Sequence, residues 1–140
     1  MAQEVMLAIR GSQTYMDQDP EVIELVTEGI LEQTETGWDL RYEESNLTGM
    51  EGVTTNFHVE PGKITLTRTG NLNSQMIFEE GQFHDSLYQV EFGALMITVC
   101  ASLVRYDLTE QGGTIDLEYA IEIEQNAAGV IDYHLDVKAK

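Results

Sequence analysis

Basic residues are scarce in this sequence, with seven Lys and Arg against 25 Asp and Glu for a formal charge of -18 in 140 residues. A field of that sign repels phosphate backbones and anionic lipid head groups, and the seven cations, from Arg10 to Lys140, are too scattered to form a binding stripe. Neither nucleic acid nor a membrane surface is expected as a partner. Cysteine is nearly absent: Cys100 alone cannot close an intramolecular disulfide. Within the apolar run "ALMITVCASLV" it reads as a buried strand thiol rather than a nucleophile. There is no C-x-x-C or H-x-x-x-H spacing, so neither a metal site nor any cofactor is expected. The N-terminal stretch "MAQEVMLAIRGSQ" lacks a basic region, a long apolar region and a cleavage-like site, which points to the cytoplasm. There the sequon at Asn46 would be chemically idle.

Proline is also rare, and no linker, repeat or charge block divides the chain, which is read as a single domain over residues 1–140. What recurs is alternation. In "GTIDLEYAIEIE" Ile115, Leu117, Tyr119, Ile121 and Ile123 take one face while Asp116, Glu118, Glu122 and Glu124 take the other, the period of a half-buried strand. Ile131, Tyr133, Leu135 and Val137 repeat it, and a turn in "QNAAG" would set Ile123 against Ile131, Ile121 against Tyr133 and Tyr119 against Leu135.

At "EPGK", Pro61 and Gly62 suit a tight turn, which pairs Val59 with Ile64, Phe57 with Leu66 and Thr55 with Arg68. "GVTTNFHVE" is therefore a strand and "NLTGMEG" the turn before it. Further turns are expected at "MDQDP", "TETG", "TGNLN", "EEG", "FG" and "TEQGG", cutting the chain into about ten strands, the pattern of a meandering barrel or sandwich. The segment "DPEVIELVTEGIL" opens like a helix, yet its β-branched density and Gly29 favour a strand with a bulge near that glycine.

The motifs "IRGSQ", "IELVTEG", "LRYEES", "TGMEGVTT", "RTG", "SQMIFEEGQFH", "YQVEFG" and "GGTIDLEYAIEI", in this order, resemble the YwiB-like family of small bacterial proteins of unknown function. "TGMEGVTT" is the most specific of them. The resemblance implies an all-β, single antiparallel meander closed into a calycin- or lipocalin-like barrel of 8–10 strands, and implies no activity.

Candidate chemistry is sparse. Parity points His58 and His134 to solvent and leaves His84 undecided. Adjacent acidic pairs, Glu43–Glu44 and Glu79–Glu80, point to opposite faces and cannot act on one bond. Ser45, Ser74 and Ser86 lack a nucleophile elbow or a base partner, so no catalytic residue is assigned and nothing requires an enzyme. The interior is more informative: the parity that turns Trp38, Leu40 and Tyr42 inward also turns Glu44 inward, and the turn register does the same for Thr55, Phe57 and Arg68. A charge drawn into a barrel must be paired or solvated. Two roles follow for Tyr42, Glu44, Thr55, Phe57 and Arg68: an ion pair that holds register, or a polar anchor for a small apolar or amphipathic ligand in the barrel. The alternative is a ligand-free barrel that binds a protein partner, or a second copy of itself, on its outside.

Overall fold

The computed structural model describes residues 2–14, 21–45, 51–90, 93–124 and 126–140. Ten antiparallel strands follow one another: β1 (Ala2–Thr14), β2 (Glu21–Gln33), β3 (Trp38–Glu43), β4 (Val53–Glu60), β5 (Lys63–Gly70), β6 (Ser74–Phe78), β7 (Phe83–Val90), β8 (Gly93–Thr109), β9 (Gly112–Ile123) and β10 (Asn126–Ala139). Their order in the sheet is β6-β5-β4-β3-β2-β1-β10-β9-β8-β7. Each strand pairs with its neighbour in sequence except at β6 and β7, while β1 and β10 join the two termini. The β6–β7 seam is bridged between Asn73 and Gln89, so the meander is a nearly closed barrel.

Alternation decides the two faces. Val5, Leu7 and Ile9 of β1, Leu40 and Tyr42 of β3, Phe57 and Val59 of β4, Ile64 and Leu66 of β5, and Ile115, Leu117 and Tyr119 of β9 are all buried in one interior cluster. The turn at Pro61-Gly62 sets Val59 opposite Ile64, Phe57 opposite Leu66 and Thr55 opposite Arg68, the register the sequence predicts. Its glycine has a φ of 78°, a conformation that costs glycine little. The turns at "TETG", "TGNLN", "EEG" and "TEQGG" fall between strands as expected. Those at "MDQDP", most of "NLTGMEG" and Phe92 of "FG" lie outside the described residues.

Three expectations need correction. β2 is a strand, but it carries no bulge at Gly29, which sits in register opposite Val5. A Cβ at Gly29 would lie 2.8 Å from the Arg41 carbonyl oxygen and 2.9 Å from Leu7 Cδ1, so glycine is required by the close approach of β3 and not by a kink. The β9–β10 register also differs, for Ile123 faces Asn126 and Tyr119 faces Ile131. Continued unchanged, that tight turn would set Tyr119 against Val130, an outward residue. A bulge between Ala127 and Gly129 takes up one residue and returns Ile131 to the inner face. Finally, Cys100 is only partly buried. Val99 and Ala101 take the interior, and strand parity turns the thiol outward beside Phe83 and Ala120.

Candidate functional site

β2 pairs with β3 only over Ile30–Gln33, so its first half, Glu21–Gly29, runs past the short strands β3 to β6. At this end the barrel interior opens into a cavity of about 430 Å³. Apart from Gln13, its upper wall is aliphatic, with Leu25, Ile97, Ile121 and Ile131 above the floor and Ile23, Leu95 and Ile123 at the rim. The last three are 36 to 47% exposed although they belong to the inward set, because β3 to β6 end below them.

The floor is polar. A row across four strands sets Tyr42, Thr55, Arg68 and Ser74 side by side. Glu44 follows β3, held there by its backbone N–H, which donates to the Val53 carbonyl at 2.8 Å. Thr55 Oγ1 donates to Glu44 Oε2 at 2.5 Å. Arg68 Nε lies 3.9 Å from the same oxygen, with side chains 12% and 1% exposed for Arg68 and Glu44. That separation is an ion pair without a hydrogen bond, and Nε has no hydrogen-bond partner among the described residues. The same holds for the buried hydroxyl of Ser74, opposite Arg68.

Tyr42, Glu44, Thr55, Phe57 and Arg68 are thus brought together as sequence parity implied. Phe57 lies beneath, stacked on Tyr42 with ring centroids 6.5 Å apart and tilted against Tyr133 at 6.0 Å. What sequence reading missed is the far wall, where Tyr119 of β9, Tyr133 of β10 and Gly11 of β1 complete the cavity. Both tyrosines were legible as inward residues, but only barrel closure through the β1–β10 pairing brings them opposite Tyr42. The Tyr42 and Tyr133 hydroxyls meet at 3.3 Å. Burial pushes the phenols of Tyr42, Tyr119 and Tyr133 above their ordinary range, so all three are protonated at neutral pH.

A second cleft, about 630 Å³, lies where β2 and β3 part, lined by Glu4, Glu28, Arg41, Glu43 and Lys140 among others. Although larger, it is a charged surface depression, and the converging buried groups all belong to the smaller cavity.

The histidines stand apart from both. His58 Nδ1 meets Asp39 at 2.6 Å and its Nε2 is 3.5 Å from Glu60, and His84 Nε2 meets Glu79 at 2.9 Å. His134 sits between Asp116 at 2.5 Å and Asp136 at 3.2 Å. His58 and Glu60 meet along one strand, β4, whereas Asp39 is the partner of His58 across the β3–β4 pair. Among the described residues no group of three or more His, Cys, Asp or Glu is placed to hold a metal ion.

The hydrogen bond to Asp116, ahead of its other partners, raises the His134 pKa above the ordinary value. A folded-state pKa raised above the unfolded one contributes stability that is complete below the unfolded value, about 6.5, and is lost as pH rises through the folded value. Wild type should therefore lose its advantage over His134→Gln across that window. Thermal melts of both proteins from about pH 5 to 8 check this, and a difference independent of pH would contradict it.

The family described as "Domain of unknown function (DUF1934)" matches residues 7–137. The chain belongs to this family. The crystal structure of the YwiB protein from Bacillus subtilis superposes with a TM-score of 0.89 at 21% identity, covering 99% of this chain and 93% of that one. This places both chains in one fold and supports the YwiB-like resemblance read from the motifs. No match was found among curated proteins. Among the described residues no helix is long and apolar enough to cross a membrane.

Proposed function

We propose that the protein binds a small apolar or amphipathic molecule, non-covalently, in the open end of its barrel. The observation that carries this reading is the cavity itself. At about 430 Å³ it falls within the range of small-molecule sites, and it joins an aliphatic wall to a few convergent polar groups. Tyr42, Glu44 and Arg68 are contact residues in this reading, while Thr55 and Phe57 support them. No side chain is assigned a catalytic role, and no cofactor is invoked. The charge of -18 supports a binder indifferent to nucleic acid and to anionic membranes, and the cytoplasm remains the proposed location.

A second reading, docking of a protein partner or a second copy, draws on the outer face of β7 and β8. There Phe83 is 71% exposed, Leu87 49% and Met96 38%.

Gly11 separates the two. A Cβ at this position meets nothing closer than the Tyr133 ring at 3.6 Å, an ordinary contact, so a larger side chain grows into the cavity without striking backbone. Native mass spectrometry of protein purified from its own host should show bound mass beyond the chain, and Gly11→Phe should keep the fold and lose it. Bound mass that survives Gly11→Phe, or a wild type that carries none and takes up none from host extract, favours the outer surface.

A further inference from the structure

The floor of the cavity holds donors left without an acceptor among the described residues. Arg68 Nε is buried without a hydrogen-bond partner among the described residues, a state that is expensive for a charged donor. The nearest anionic oxygen, Glu44 Oε2, lies 3.9 Å away and already accepts from Thr55. The contact between the Tyr42 and Tyr133 hydroxyls uses one phenolic proton and leaves the other to be donated elsewhere. Above this floor the walls, apart from Gln13, are aliphatic up to the rim at Ile23, Leu95 and Ile123. The complement of such a site is an aliphatic chain that ends in a group which only accepts hydrogen bonds.

Resting on the cavity reading above, we propose that the ligand is an aliphatic monocarboxylate, bound head-inward on Arg68 and the Tyr42–Tyr133 hydroxyls, with its chain running out between Leu25, Ile121 and Ile131. The neighbouring carboxylate limits the head to one negative charge. One guanidinium can serve Glu44 and a monoanion together, whereas the second charge of a phosphate monoester would face Glu44 without a counter-ion. A cationic head would instead meet Arg68.

The test compares probes of one chain length and four heads, namely decanoate, decanol, decyl phosphate and decyltrimethylammonium, by calorimetric titration below their micellar concentrations. Decanoate should bind about tenfold or more tightly than decanol, the margin of one hydrogen bond to a charged partner. Decyl phosphate should be weaker than decanoate, and decyltrimethylammonium should not bind. The double variant Arg68→Met/Glu44→Gln removes both charges together, and in it decanoate should lose its advantage over decanol. Tyr133→Phe, which keeps the ring and removes one hydroxyl, should weaken decanoate several-fold and decanol less. Equal affinity for decanoate and decanol in the wild type would overturn the carboxylate assignment and leave the cavity reading standing. Decyl phosphate as the tightest probe would overturn the restriction to one charge. If no probe binds, the cavity reading and this inference fail together.

Discussion

Arg68→Met should lower the unfolding free energy by about 3–5 kcal/mol, the range for breaking a buried ion pair by removing one member. The cause lies in what is left behind. The Glu44 side chain is 1% exposed, and without the guanidinium its carboxylate, which accepts from the Thr55 hydroxyl, would be a buried charge that has lost the Arg68 counter-charge. Neutral hydrogen bonds without a counter-charge do not offset the desolvation of a carboxylate. Changing Glu44 to Gln in the same molecule removes the stranded charge and should recover most of the loss. Urea denaturation of wild type, single and double variants at neutral pH measures both quantities. A single variant that loses less than about 1 kcal/mol, the value of an exposed pair, would mean that water solvates the floor and that Arg68 does not hold Glu44.

Phe57→Ala should cost a similar amount, about 3–5 kcal/mol, as expected for truncating a fully buried aromatic. Phe57 is 0% exposed and touches the rings of both Tyr42 and Tyr133. Its removal therefore takes away packing area and the surface that fixes the two hydroxyls. The void would open toward the existing cavity, so the loss of stability should come with weaker discrimination between decanoate and decanol. Denaturant midpoints check the first effect and calorimetric titration the second. A loss under about 1 kcal/mol would show that neighbouring side chains collapse into the space.

Much of the cavity floor was legible in the sequence because it depends on local geometry. Pro61-Gly62 makes a turn whose register follows from backbone preference alone, and counting outward from it pairs Thr55 with Arg68. Parity along "WDLRYEES" then turns Tyr42 and Glu44 to the same side. The β9–β10 hairpin lacked such a marker. "QNAAG" allows several turns, and the pairing depends on a bulge at Ala127–Gly129 that reconciles a tight turn with an apolar face. Cys100 was misread because an unbroken apolar run suggests burial on both faces, whereas the barrel buries only one.

By itself, then, the sequence determined the strand class, the inward and outward faces, the β4–β5 register and the charge on the outside, all of which follow from period-2 alternation, turn chemistry and composition. Only the tertiary structure decided that β1 meets β10, that Gly29 must be small because a Cβ there would lie 2.8 Å from the Arg41 carbonyl oxygen of β3, and that the Tyr133 hydroxyl stands 3.3 Å from that of Tyr42 across 91 residues. It also decided that the open end stays unfilled. Those outcomes depend on how strands of unequal length close around a common interior, a property of the whole barrel that no single stretch of chain encodes.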